Sequence, residues 1–337
     1  MKDEIKIETG REFELVGIRA DMHIDKNYAS QSFWKDVVVR FTRNKGSVFG
    51  MMMILLILIL AIVGPTMNGY TYDNVNLDHQ NLAPRVKWLS HFSIFDGAEK
   101  GVDRYAALGL SDTYYWFGTD TLGRDLWTRT WEGTRISLFI AFVAVVIDMV
   151  IGVSYGLVSG YFGGAVDSFM QRIVEILNGI PTLITVTLLM LVMEPGLKSI
   201  ILALMLTGWI GMSRVARAQV LKLKEQEYVL AARTLGIGHI DLIAKEILPN
   251  IFGQLITMSM FSIPSAIFSE AFLSFVGLGV PTPMASLGSL INDGYKSFLT
   301  HPYMLVFPTV VLALLMLSFN LMADGLRDAF DPKMQEL

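Results

Sequence analysis

Residues 227–250 read EYVLAARTLGIGHIDLIAKEILPN, a polar, patterned stretch between two long apolar ones. Tyr228, Ala231 and Leu235 recur at helical spacing, as do Ile240, Ile243 and Ile247. Gly236 and Gly238 break the two runs, and Pro249 closes the second. The spacing predicts two short helices around a glycine turn. Ala231 and Ala232 are small, so another surface can approach the backbone closely there. A near-neutral hairpin held this tightly between apolar segments has no reach into a nucleic-acid groove, so its face is read as a docking face for protein.

The surroundings of the hairpin are apolar enough to set the class. The chain is 53% hydrophobic and 17% charged, against about a quarter charged for ordinary soluble domains, and its mean hydropathy is +0.48. A hydrocarbon core needs roughly 20 apolar residues as helix. Spans are expected at 48–63, 136–159, 173–193, 198–213, 251–276 and 303–323, six helices in all. The first begins too far along to be a cleaved leader and reads as an uncleaved anchor. Arg40, Arg43 and Lys45 precede it, and Arg214, Arg217, Lys222, Lys224, Arg233 and Lys245 crowd 214–250. By the positive-inside rule both termini and the hairpin are expected in the cytoplasm, and the long 66–133 loop outside. In FWKDVVVRFTRNK, Phe33, Trp34, Val37, Val38 and Phe41 share one helical face, which suits a helix lying in the cytoplasmic interface.

Here the residues become recognisable. The 227–250 stretch resembles the "EAA" loop of ABC-importer permeases: Ala231, Ala232, Gly236, Leu248 and Pro249 fall in its register, Leu230 replaces the usual Glu, and Glu227, Tyr228, Val229 and Arg233 complete a variant similar to that of peptide importers. FGTDTLGRDLWTRTWEGTRISL (117–138), SEAFLSFVGLGVPTP (269–283) and DGLRDAFDPK (324–333) resemble three further signatures of the dipeptide and oligopeptide permease C subunits, a group shared with nickel permeases. The resemblance covers about 33–333. It implies an all-α integral membrane protein with the type-1 ABC importer permease fold. The implied layout is a cytoplasmic segment with an interfacial helix (1–46), a first transmembrane helix (47–65), an extracellular loop (66–133), a five-helix core (134–324) and a cytoplasmic tail (325–337). The implied place is the bacterial cytoplasmic membrane. The implied partners are a homologous B-type permease, two ABC ATPase subunits, an external solute-binding lipoprotein, a peptide substrate and membrane lipid. Glu227, Tyr228, Ala231, Ala232, Arg233, Gly236, Leu248 and Pro249 would then form the coupling element that sits on an ATPase.

Chemistry of the chain's own is not legible. There is no cysteine, and His23, His79, His91, His239 and His301 lack ligand-like spacing, so no metal site is expected. GVSYG at 152–156 matches a nucleophile elbow in letters, but it sits in an apolar helix without the strand–turn–helix setting. Gly152, Gly156 and Gly160 read instead as a ridge for close helix packing in lipid. No phosphate-loop motif is present, so ATP and Mg belong to partner ATPases and no cofactor is expected on this chain.

Three polar features stay open between two readings. Asp148, inside the second span, either lines a translocation path or makes a buried polar contact. Glu270 either meets a peptide's amino terminus or fixes a broken helix near Pro264. GTDTLGRD (118–125) is either an external contact or a capped turn in which Asp120 and Thr121 start a helix. Arg172 and Glu175 are expected to pair, and Pro181 and Pro264 to kink their helices. The leading function is a peptide-importer permease. The alternatives are the same architecture importing nickel or another small solute, or a secondary transporter acting alone, which would show inverted repeats that are not evident.

Overall fold

The computed structural model describes residues 33–90, 95–99, 101–194 and 196–330. Helix α1 (Phe33–Arg43) leads into α2 (Lys45–Val63), which starts at Asn44, whose side chain accepts from the Gly46 and Ser47 amides. A loop leads on with a two-stranded hairpin, β1 (Ala98–Glu99) and β2 (Val102–Asp103), and a single helical turn, α3 (Arg104–Ala107). Helix α4 (Leu126–Ile147) runs through a π-helical turn at Asp148–Gly152 into α5 (Val153–Phe162). Then come α6 (Gly164–Asn178), α7 (Thr182–Met193), α8 (Leu197–Thr207) and α9 (Trp209–Leu223). The 227–250 hairpin contributes α10 (Glu227–Thr234) and α11 (His239–Leu242). A second π turn, Ile243–Ile247, joins α11 to α12 (Leu248–Phe275), and α13 (Leu287–Lys296) and α14 (Tyr303–Phe330) complete the bundle.

Among the described residues, five helical stretches are long and apolar enough to cross a membrane: 45–66, 126–162, 197–223, 239–275 and 303–330. The expected third span is instead a pair, α6 and α7, bent by 77°. Pro181 sits at that break, where its missing N–H costs no intrahelical bond. Pro264, by contrast, lies inside α12 without interrupting it, so the helix expected to be broken there is continuous. Helix α14 carries the start of the expected tail (325–337) helically to Phe330; residues 331–337, like 1–32, lie outside the described residues.

Three apolar clusters hold the bundle together. One joins α5, α9, α12 and the hairpin through Leu157, Met212, Ala216, Val220 and Ile251. A second joins α2, α4, α12 and α14, and a third joins α4, α7, α8 and the end of α12. The glycine ridge explains the closest approach. A Cβ on Gly152 would lie 2.6 Å from the Trp209 carbonyl oxygen, one on Gly160 would lie 2.9 Å from that of Arg217, and one on Gly156 would overlap the Ser213 carbonyl. In lipid, where apolar burial gives helices little reason to associate, such backbone contact is what dispersion can use. Helix α1 packs on the end of α14, with Trp34 edge-on to Phe330 at 6.3 Å between centroids. Val37 is buried while Val38 and Trp34 stay largely exposed, consistent with a helix offering an apolar face to an interface.

Candidate functional site

The hairpin forms where the sequence places it, but its faces differ from the expected ones. Helix α10 ends in a double closure: the Ile237 N–H donates to the Ala232 carbonyl at 3.3 Å and the Gly236 N–H to that of Arg233 at 3.1 Å. This pattern needs a left-handed residue, and Gly236 supplies it at φ +83°. Ala232 is buried with Val229, Leu242 and Ile247 against α5 and α9, so it belongs to the inner face and not to the docking face. Tyr228, Leu230, Ala231, Arg233 and Leu235 point outward. On the second limb Ile240 is 84% exposed whereas Ile247 is fully buried. The π turn between them inserts a residue and rotates the helix beyond it, so one expected stripe is split over two faces. Pro249 opens α12 at its first turn; it does not close the second limb. Leu248 is half-buried and Glu227 exposed. The Tyr161 hydroxyl and His239 Nδ1 meet at 2.7 Å, and Lys224 donates to the Gly160 carbonyl at 3.0 Å, which seats the hairpin on the end of α5.

The opposite end of the bundle is closed by buried polar contacts. The Asp120 carboxylate accepts from the Leu122 and Arg124 amides and from Arg124 Nε at 2.7 Å, with Arg129 Nε at 3.5 Å. Arg129, 1% exposed, donates to the Tyr72 carbonyl at 3.1 Å. Asp125, and not Asp120 or Thr121, caps α4: it accepts from the Thr128 amide at 2.7 Å and hydroxyl at 2.6 Å, and from Asn68 at 2.6 Å. Burial pushes its carboxyl above the usual range, and these hydrogen bonds oppose the shift. Gly123 is required because a Cβ there would strike the Asn76 carbonyl. GTDTLGRD is therefore a locked turn that pins the 66–119 loop to α4.

Glu270 is fully buried. It accepts from Ser137 Oγ at 2.8 Å and Ser274 Oγ at 2.7 Å, while Ser286 Oγ donates to Ser274 Oγ at 3.1 Å and the Leu287 amide to Ser137 Oγ at 3.2 Å. The acid thus ties α4, α12 and α13 together. Of the two readings of Glu270, these contacts favour the structural one, since the carboxylate faces neighbouring helices. No sequence expectation covers α13, a helix that starts at a Ser286–Ser289 capping box. Arg172 and Glu175 do pair, at 2.7 Å on an exposed face.

Asp148 is different. It is 7% exposed, its Oδ1 has no hydrogen-bond partner among the described residues, and it lines a cavity of 310 Å³ between α4, α8, α9 and α12. The buried polar contact considered for Asp148 is not made by Oδ1.

Comparison with known proteins agrees with this architecture. A family described as "Binding-protein-dependent transport system inner membrane component" matches residues 152–336, and one described as "N-terminal TM domain of oligopeptide transport permease C" matches 32–84. The chain is 43% identical over 307 residues to the oligopeptide transport system permease protein OppC of Bacillus subtilis, covering 91% of this chain and 92% of that protein. It is 41% identical over 338 residues to the dipeptide transport system permease protein DppC of Lactococcus lactis subsp. cremoris, covering 97% and 98%. Among solved structures, the MetNI methionine ABC transporter in inward-facing conformations aligns with a TM-score of 0.50 at 18% identity, covering 59% of this chain and 95% of that one, a likeness of fold alone. The chain is a multi-pass membrane protein and belongs to the family of binding-protein-dependent transport system inner membrane components, as an ABC-importer permease subunit of the C type.

Proposed function

We propose that the chain is one half of the translocation pathway of an ATP-driven peptide importer in the bacterial cytoplasmic membrane. A homologous B-type permease forms the other half, two ABC ATPases bind the pair from the cytoplasm, and a solute-binding lipoprotein delivers the peptide from outside. Both termini and the 227–250 hairpin face the cytoplasm, as the Lys/Arg distribution favours. The chain binds no cofactor; ATP and Mg act on the ATPase subunits. Peptides are favoured over nickel and other small solutes because the two relatives compared with the chain are peptide permeases by name.

The observation that carries the coupling role is the hairpin's outward face. Leu235 and Ile240 are 83% and 84% exposed, with Tyr228, Leu230 and Ile237 beside them. Lys222, Lys245 and Asp241 share this end of the bundle, so lipid is a poor cover for it, and exposed apolar side chains in such company mark a protein contact. Because α11 continues through the π turn into α12, a push on the hairpin reaches a membrane-spanning helix without an intervening loop. Purification of the tagged chain in mild detergent, with mass spectrometry of what accompanies it, is the direct test. A homologous permease and Walker-motif ATPases are expected. A chain that purifies alone and transports in vesicles without ATP would overturn the proposal in favour of a secondary transporter.

A further inference from the structure

Helix α12 carries a mixed stripe of polar and apolar side chains down one side. Gln254, Met258, Phe261, Ser262, Ser265 and Ser269 keep helical spacing over about 22 Å. Two adjoining cavities open along it. The one nearer the hairpin, 480 Å³, is lined by Gln219, Gln254, Thr257 and Arg327 among others, and shares Met258 and Phe261 with the deeper 310 Å³ cavity. The deeper cavity holds Ser262, Ser265 and Ser269 on one wall and Asp148 on another.

The chemistry of that deeper cavity is weighted toward acceptors. Ser262 Oγ already donates to the Met258 carbonyl at 3.1 Å, and Ser269 Oγ to the Ser265 carbonyl at 2.9 Å, so both hydroxyls have lone pairs to offer and no proton. Asp148 adds a carboxylate with an unpartnered oxygen, and no Lys, Arg or His among the described residues lines the cavity. Gly208 is what leaves room for it: a Cβ there would lie 2.6 Å from Asp148 Oδ1. Asp148 is the first residue of the π turn that follows α4. A charged side chain kept inside a membrane span without a counter-ion is expensive. A carboxylate with an unpartnered oxygen and two hydroxyls whose protons are already used, beside the Phe261 ring, suit a compact cation rich in N–H.

We propose that Asp148, with the Ser262–Ser265–Ser269 wall, is a subsite for a primary ammonium group, holding the free amino end of the transported peptide. This rests on the peptide-importer reading for the identity of the cation's owner, but not for the cation selectivity itself.

The native chain has no cysteine, so the cavity can be probed with a single introduced thiol. In the assembled transporter, S265C is treated with 2-aminoethyl methanethiosulfonate, which carries an ammonium, or with neutral methyl methanethiosulfonate, and modification of this chain is followed by intact mass. The ammonium reagent is expected to be favoured over the neutral one by about tenfold relative to a free thiol in solution. Asp148→Asn in the same background should remove the preference and Asp148→Glu should retain it, while a tripeptide with a free amino terminus should slow modification more than its Nα-acetylated form. An equal preference with Asp148 and with Asn overturns the subsite, even if peptide uptake by the unmodified transporter is normal. A preference that depends on Asp148, in a transporter that neither imports peptides nor is protected by them, keeps the cation subsite and overturns the peptide reading instead.

Discussion

At the loop end of the bundle Arg129 is 1% exposed and sits beside Asp120 and the Tyr72 carbonyl, whereas at the hairpin end Leu235 and Ile240 are 83% and 84% exposed. The first end spends its polar groups inside the chain: Asp120, Asp125, Thr119 and Glu270 all find partners, most of them across long sequence separations. The second end leaves an apolar surface that none of the described residues covers. Substitutions should therefore separate the two, with stability moving at the loop end and assembly at the hairpin end.

The largest effect is expected from Arg129→Ala. It strips a buried guanidinium from beside the buried Asp120 carboxylate, and breaking such a pair from one side costs about 3–5 kcal/mol. A large drop in the thermal midpoint of the purified complex, or failure to accumulate in the membrane, is the expected reading. A midpoint within a degree or two of the parent would show that the loop end is not the stabilised one.

Gly156→Leu tests the close contact of α5 with α9 that joins the hairpin end to the rest of the bundle. The new side chain would meet the Ser213 carbonyl and Ala216, and overpacking of this kind costs about 1–3 kcal/mol or more where backbone cannot yield. Loss of both stability and transport is expected, in contrast to hairpin substitutions. Retention of both would mean that α5 and α9 separate without consequence.

The hairpin's own glycine should behave otherwise. Gly236 has no neighbour within 4 Å of a notional Cβ, but its φ of +83° disfavours any branched side chain. Gly236→Val should cost about 1–2 kcal/mol of local strain, spent in reshaping the closure between α10 and α11. Near-parental membrane levels with uptake lost and ATPase recovery reduced is the expected outcome; normal uptake would sink the coupling assignment.

How much of these two ends is legible in the sequence depends on the range of the interactions. The hairpin and its glycine are legible because a helix stop and a left-handed closure are written in a few adjacent residues. Its inner face is not, because the π turn at 243–247 shifts the phase, and neither Ile240 nor Ile247 betrays an inserted residue. The five long spans are legible from apolar runs, though α4 and α12 extend well past them into residues polar enough to stop a hydropathy count. Asp125 is hard to pick as the cap because Asp120, five residues earlier, looks equally suitable until Arg124 and Arg129 claim it. Glu270 invites a place on a path because, of its two serine partners, only Ser274 is local; Ser137 lies 133 residues away in sequence, and the link to the start of α13 runs through those serines.

The smallest change in fold stability is expected at the most exposed position, and it sharpens the comparison most. Leu235 touches little among the described residues, so Leu235→Asp should alter stability by less than about 0.5 kcal/mol. If the exposed apolar face is what an ATPase covers, however, the new carboxylate must be desolvated on docking or keep water in the contact, and either weakens association. Recovery of ATPases with the tagged chain should then fall severalfold while the homologous permease, held by the membrane helices, still co-purifies. Arg172→Ala, which removes only an exposed pair, is the control and should change neither. Equal loss of permease and ATPases in Leu235→Asp would place the hairpin's role in bundle assembly, and would erase the distinction between an end that is finished within the chain and one that is completed by a partner.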